Sequence, residues 1–254
     1  MSSKNYSEFA QLYSSGSYPQ YSKYIARKLP DILGKLGTRP SNILDIACGE
    51  GAFVVEAAKL GFEATGIDIS GEMIEIAREK SEEAGVETTF HEQDMRQLSL
   101  DESYELVTSW FDSMNYLTSS SDFNEALEKV YGHLTNEGFF VFDVNTIHGL
   151  SVQWREHDCY VQRDDSSVFE IHRTSYDRED RIARLKITFF VNNDGGWKKH
   201  EEIHEERGYK LEEISLMARQ VGFKVYDIWG GLEKFDQPEE DSGRVWFVLK
   251  KVEG

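Results

Sequence analysis

Asn42-Ile43-Leu44-Asp45-Ile46-Ala47-Cys48-Gly49-Glu50-Gly51-Ala52-Phe53 is the stretch on which the reading of this chain turns. Ile43, Leu44 and Ile46 form a short apolar run with β-branched residues. Pro40-Ser41-Asn42 bounds it on one side and Gly49 on the other, so it reads as a buried parallel strand. Gly49 and Gly51 flank Glu50, and the residues from Ala52 to Leu60 have helical composition with a natural stop at Gly61. The unit is therefore strand, tight glycine turn, helix. Such a turn brings backbone N–H groups up to a ligand in the crevice beyond the carboxyl end of a strand.

The chemistry of the turn narrows the ligand. A dinucleotide loop would read G-x-G-x-x-G and seat a pyrophosphate at the helix N-terminus. This loop instead carries Asp45 at the strand end and Glu50 inside the turn, and both would repel a pyrophosphate. That argues against an NAD-dependent oxidoreductase. Two acids beside a glycine turn suit a ligand with a cationic portion, such as the amino group and sulfonium of an S-adenosylmethionine-like molecule. A second strand, Glu63 to Asp68, ends in an acid placed to accept both hydroxyls of a ribose.

Outward from this unit, strands and helices alternate from about 42 to 110, which predicts a parallel sheet with right-handed crossovers. Ser70 is placed to cap a helix over Gly71 to Ala84 that buries Met73, Ile74 and Ala77. A fourth strand, Leu106 to Phe111, leads into Asp112-Ser113-Met114-Asn115-Tyr116-Leu117 on the same crevice. Asn115 and Tyr116 there either meet an acceptor or hold the loop. A helix from Asp122 to Leu134 and a strand from Phe139 to Val144 follow. From Thr146 to about Arg207 the period changes to alternation in Val161 to Arg163, Val168 to Tyr176 and Arg184 to Val191, with turn signals between, including Asn192 to Gly196. This predicts an inserted antiparallel sheet, acting as a lid that excludes water from an acceptor or as a surface for a homodimer. His204, at its end, is a base, an acceptor contact or a structural histidine. The tail reads as a helix, Lys210 to Val221, and two strands, Lys224 to Gly230 and Arg244 to Lys250.

Asp45 to Gly51, then Gly66-Ile67-Asp68-Ile69-Ser70, then Gln93-Asp94-Met95 resemble the class I S-adenosylmethionine-dependent methyltransferase family. The runs Phe111 to Leu117, Val141 to Thr146 and Glu202 to Tyr209 are similar to a small-molecule subgroup with an inserted β-sheet. The resemblance implies an α/β fold, a Rossmann-like seven-stranded sheet with helices on both faces plus the inserted antiparallel sheet. It divides the chain into an N-terminal helical cap (1–40), a cofactor-binding domain (41–148 and 209–254) and a β lid (149–208). It implies that Tyr13 and Tyr21 lie near the methionine end and the acceptor, and that Asp94 and the Met95 N–H read the adenine; by position either Ile69 or Met73 walls that ring, with Met73 equally placed to be a core residue. Tyr21, Asp45, Ala47, Cys48, Gly49, Asp68, Ile69, Met73, Asp94, Met95 and Phe111 are the expected cofactor residues. Tyr116, Asn115, Tyr13 and His204 are the expected acceptor-side residues. Ala47 replaces the first glycine of the family's loop, which preserves backbone approach if its φ stays negative. The implied reaction is in-line transfer of a methyl group to a small-molecule nitrogen or oxygen, leaving S-adenosylhomocysteine and needing no metal.

The remaining features bound this reading. The formal net charge of −18 argues against binding a nucleic-acid backbone and disfavours the competing enzyme reading, a methyltransferase acting on tRNA or protein. Two distant cysteines, Cys48 and Cys159, form no C-x-x-C pair, so neither a disulfide framework nor a zinc site is indicated. No membrane span or signal peptide is read, which leaves the cytoplasm as the expected location. A sensor that binds the cofactor without turnover is the remaining alternative class. Tyr18, Tyr21, Tyr24, Ile25 and Leu29 fall on one face of an N-terminal helix.

Overall fold

The computed structural model describes residues 9–156, 158–193 and 195–252; the expected features at the extreme N-terminus, and Asp194 of the 192–196 turn, lie outside them. The chain begins with α1 (Ala10–Ser15) and α2 (Pro19–Leu36). Next come β1 (Asn42–Ile46), α3 (Ala52–Lys59), β2 (Glu63–Asp68), α4 (Gly71–Ala84), β3 (Thr88–Glu92) and β4 (Tyr104–Ser109). A 3-10 turn (Ser113–Tyr116) precedes α5 (Ser120–His133), β5 (Leu134–Asn145) and the short α6 (Ile147–Ser151). The insertion holds β6 (Cys159–Asp164), β7 (Val168–Asp177), β8 (Ile182–Asn193) and β9 (Gly196–Arg207). The chain then closes with α7 (Leu211–Val221), β10 (Phe223–Trp229) and β11 (Arg244–Lys251).

The main sheet runs β10-β11-β5-β4-β1-β2-β3, parallel except for β11, which is antiparallel to both neighbours. Successive residues of a strand point to opposite faces, so a sheet covered on both sides needs apolar residues at consecutive positions. Ile43 and Leu106 accordingly pack with Leu29, Phe53 and Ile74 of α2, α3 and α4. Their neighbours Leu44 and Val107 pack with Phe123, Leu127 and Ile214 of α5 and α7. Ser70 caps α4 as expected, its Oγ accepting from the Met73 N–H at 3.3 Å.

The inserted strands form a separate antiparallel sheet in the order β6-β7-β8-β9. β9 was not foreseen in the alternation. Its sequence, Gly-Trp-Lys-Lys-His-Glu-Glu-Ile-His-Glu-Glu-Arg, reads as a solvated charge run, and as an edge strand it is mostly exposed along its first half. Cross-strand pairs such as Arg184 with Glu205 at 2.6 Å join it to β8. The N-terminal helices bridge this sheet to the main one: Phe9 packs on Ile187 and Phe189, while Ile25, Leu29 and Ile32 of α2 are buried against α3 and the main sheet. Among the described residues no helix is long and apolar enough to cross a membrane.

Candidate active site

The carboxyl ends of β1 and β2 lie side by side, and the turn after β1 wraps over them. Asp68 is tied down by two backbone donors, the Gly49 N–H at 2.9 Å to Oδ2 and the Ser70 N–H at 2.9 Å to Oδ1. Gly51 has φ +77°, and a Cβ there would lie 2.8 Å from the Ala77 Cβ, so only glycine lets α3 start this close to α4. The expectation for Ala47 is corrected: its φ is +56°, in the left-handed region where an L-residue is strained. The tight reversal at the strand end takes precedence over the local preference of alanine. Glu50 also differs from the reading of the turn. It is buried and ion-paired with Lys80 of α4, so it braces the loop instead of facing the crevice.

Asp45, Ala47, Cys48, Gly49, Asp68, Ile69, Met73 and Phe111 line one cleft, with Tyr13 and Tyr116 at its edge. Asp94 and Met95 line a smaller recess that shares Ala47 and Ile69 with it. There the Asp94 carboxylate is held by Arg96, whose Nε approaches Oδ1 at 3.0 Å. Burial works to raise the Asp94 pKa, but the Arg96 hydrogen bonds outweigh it and hold the group below its ordinary value. Asp45 is 3% exposed and accepts from the Thr108 Oγ1 at 2.7 Å. Burial pushes its carboxyl well up, and the nearness of Asp68 adds to the rise. Burial also raises Asp68, offset in part by the N–H groups of Ser70, Gly49 and Ile69.

Tyr21 belongs to a second cavity of about 460 Å³, between the inserted sheet and the ends of β4 and β11. Its ring lies 5.0 Å from that of Phe111 and 5.1 Å beneath the Arg244 guanidinium, so it is not part of the cleft itself. Tyr13, Phe111 and Tyr116 line both cavities, which therefore meet at these three side chains. At that junction the Tyr116 hydroxyl and the Nδ1 of His204 are 3.1 Å apart, and Nε2 of the same ring is 3.4 Å from a Glu202 carboxylate oxygen. Asn115 lines neither cavity. Its side-chain amide donates to the Asn145 and Arg207 carbonyls, each at 2.9 Å, and accepts from the Asn145 N–H, which fastens the loop to β5 and β9.

The methyltransferase domain family matches residues 43–138. A protein of Geobacillus sp. (strain WCH70) named as a methyltransferase is 30% identical, over 96% of this chain and 96% of its own length. The chain belongs to the S-adenosylmethionine-dependent methyltransferase family. A dTDP-3-amino-3,6-dideoxy-alpha-D-glucopyranose N,N-dimethyltransferase of Streptomyces fradiae is 26% identical, over 88% of this methyltransferase and 87% of its own chain. Among solved structures, an S-adenosylmethionine-dependent methyltransferase from Clostridium acetobutylicum ATCC 824 superposes with a TM-score of 0.82 at 25% identity. That match spans 98% of this chain and 99% of the other.

The cleft of this methyltransferase suits such a cofactor on its own terms. Asp45 and Asp68 are buried without an ion pair among the described residues, so a cationic ligand would relieve their desolvation. The buried Trp110 indole N–H, in the cleft wall, has no hydrogen-bond partner among them and is free to donate to a ligand.

Two groups in the larger cavity escaped the sequence reading. The first centres on Arg244, which donates to Asp112 at 2.6 Å and also to Asp143. Asp143 in turn accepts the backbone N–H groups of Phe111 and Asp112 at 2.8 and 2.9 Å. Asn145 links Asp112 to Glu206, at 2.9 and 3.0 Å. The second is on the inserted sheet, where His172 lies 2.5 Å from Glu170 and 3.0 Å from the Tyr160 hydroxyl, and Tyr18 donates to Glu170 at 2.5 Å. Desolvation and Glu170 both push the Tyr18 phenol far up, so it remains a neutral donor.

Proposed function

We propose that this methyltransferase moves the methyl group of S-adenosylmethionine to a nitrogen or oxygen of a small molecule bound in the larger cavity, by in-line displacement. The observation that carries the reading is the meeting of the two cavities at Tyr13, Phe111 and Tyr116. A cofactor in the cleft supplies an already activated methyl carbon on a sulfonium. The acceptor's lone pair attacks that carbon from the cavity side, so the protein's main task is alignment, worth on the order of 7–11 kcal/mol when the reacting atoms are held at near-attack distance. The tyrosine and phenylalanine rings form the walls of the passage, and the inserted sheet covers the acceptor and limits water.

An N–H or O–H acceptor also sheds a proton. The pair of Tyr116 and His204, with Glu202 behind the ring, supports a path for it: the phenol accepts the proton from the acceptor as it hands its own to Nδ1. Nitrogen is favoured as the acceptor atom by the Streptomyces fradiae relative, whose name specifies N,N-dimethylation. The test is transfer of labelled methyl from the cofactor to a panel of small amines and alcohols. His204→Gln is expected to lower kcat on the order of a hundredfold, within the usual range for a proton acceptor, with cofactor affinity unchanged. No transfer to any member would sink the reading; an unchanged kcat in His204→Gln would sink the proton path alone.

A further inference from the structure

We propose that the acceptor enters this methyltransferase as a protonated amine without a phosphate group, and that Glu206 is the side chain that selects it; this rests on the larger cavity being the acceptor site. Glu206 is 2% exposed, on β9, and forms part of the cavity wall. It completes a set of three carboxyls, with Asp112 and Asp143, around the single guanidinium of Arg244. With all of them ionised the set carries three negative charges against one positive. Burial, and then the neighbouring Asp112 charge, push the Glu206 carboxyl well above its ordinary value, so a proton makes up part of the deficit. An ammonium group can take that proton's place. As the ammonium arrives, Glu206 releases its proton to solvent and the carboxylate pairs with the ligand; the nitrogen gains the lone pair it attacks with when one of its own protons leaves along Tyr116 and His204. The rings of Trp154 and Tyr160 in the same wall add π-electron density that attracts a cation.

The same inventory excludes an anionic tail. Among the described residues lining the cavity Arg244 is the only Lys or Arg, and Asp112 and Asp143 already hold it. His172 is paired with Glu170, and the Nδ1 of His204 is engaged by Tyr116. A phosphate or diphosphate brought inside would lose its water, meet no unpaired guanidinium or ammonium, and face Asp112 and Glu206. An uncompensated buried charge of this kind is strongly unfavourable.

The test uses matched ligands on the full chain saturated with S-adenosylhomocysteine. Tyramine, glucosamine and 3-amino-3-deoxyglucose are compared by calorimetry with their hydroxyl counterparts, with glucosamine 6-phosphate, and with a nucleoside diphosphate-linked amino sugar. Labelled methyl transfer from the cofactor is measured in parallel. At least one amine is expected to bind tenfold more tightly than its hydroxyl and phosphate-bearing partners, and its binding heat should differ between two buffers in the way that proton release requires. Glu206→Gln should erase the amine preference while S-adenosylhomocysteine still binds, which also reports that the variant is folded. Equal or tighter binding by the hydroxyl or phosphate members, no binding by any amine, or an amine preference that persists in Glu206→Gln would overturn the proposal. Methyl transfer confined to phosphate-bearing members would sink it and leave the proposed function standing. Amine-selective binding that Glu206→Gln abolishes, with no methyl transferred, would sink the proposed function and the bound amine's role as acceptor with it, leaving Glu206 only as an amine-binding group.

Discussion

Four adjacent parallel strands, β2, β1, β4 and β5, each carry an acid at or just beyond the carboxyl end: Asp68, Asp45, Asp112 and Asp143. All four are buried, none more than 8% exposed. They differ in where their counter-charge comes from. Asp112 and Asp143 share Arg244 from β11, so the chain itself supplies them with a cation, and the result is a cross-link that fixes the Phe111 loop to β5 and β11. Among the described residues Asp45 and Asp68 have only neutral hydrogen-bond donors, and no cation of the chain pairs with them. Position in the sheet alone therefore does not separate a scaffold acid from a binding acid. Possession of a cation does.

The largest expected effect comes from removing that cation. Arg244→Leu strips the guanidinium from Asp112 and Asp143 and should destabilise the protein by about 3–5 kcal/mol, the usual consequence of leaving a buried charge without its partner. Burial disfavours the Arg244 charge, but Asp112 and Asp143 outweigh it and hold the side chain protonated at any ordinary pH. Urea unfolding gives the number. A loss under about 1 kcal/mol, the scale of an exposed pair, would mean that the cluster is not a cross-link and that the comparison fails on its scaffold side.

On the binding side, Asp68→Ala should weaken S-adenosylmethionine by about 1.5–3 kcal/mol, the range for hydrogen bonds to a charged group. Asp45→Asn divides stability from function. Because burial raises the folded-state pKa of Asp45 above its unfolded value, the native protein holds more protons, and its contribution is fully present only at low pH. It is lost as pH rises through the folded value. The ligand-free protein should therefore lose stability as pH climbs out of the carboxylate range, by about 1.4 kcal/mol for each unit of elevation. Asn at this position should flatten that slope and weaken cofactor binding at the same time. A slope that Asp45→Asn leaves unchanged would assign the pH dependence to other carboxyls.

The cleft was legible in the sequence because its parts are close along the chain. Asn42 to Met73 contains two strand ends, the glycine turn and Asp68, and each announces itself by local composition. The larger cavity was not, for two physical reasons. Its contacts join distant segments: Tyr18 reaches Glu170 across 152 positions and Arg244 reaches Asp112 across 132. Its main strand also inverts the usual alternation. On β9 the apolar Ile203 faces solvent at 54% exposure, while His204 and Glu206 point inward at 2% each. A hydrophobicity pattern therefore assigns the wrong face. Asn115 contrasts with them, a polar residue at the crevice whose two amide donors and whose oxygen are engaged by the backbone of β5 and β9.

Ala47 gives the finest test of how the two halves of the comparison differ. Its φ of +56° belongs to the turn that brings Gly49 to Asp68, so the conformation is set by the binding side of the sheet. An L-residue held there costs roughly 1–2 kcal/mol, whereas glycine adopts it freely but loses more backbone freedom on folding, about 0.5–1 kcal/mol. The balance predicts that Ala47→Gly stabilises the protein by about 0.5–1 kcal/mol, read from the urea midpoint at constant slope. Because the backbone N–H groups stay where they are, affinity for S-adenosylmethionine should not change. A gain in stability with unaltered affinity would mean that the turn is imposed by its surroundings and that the alanine methyl is merely tolerated. A loss of affinity would mean instead that the methyl packs against the ligand, and that the strain at this position is offset in the bound state by a contact that glycine cannot make.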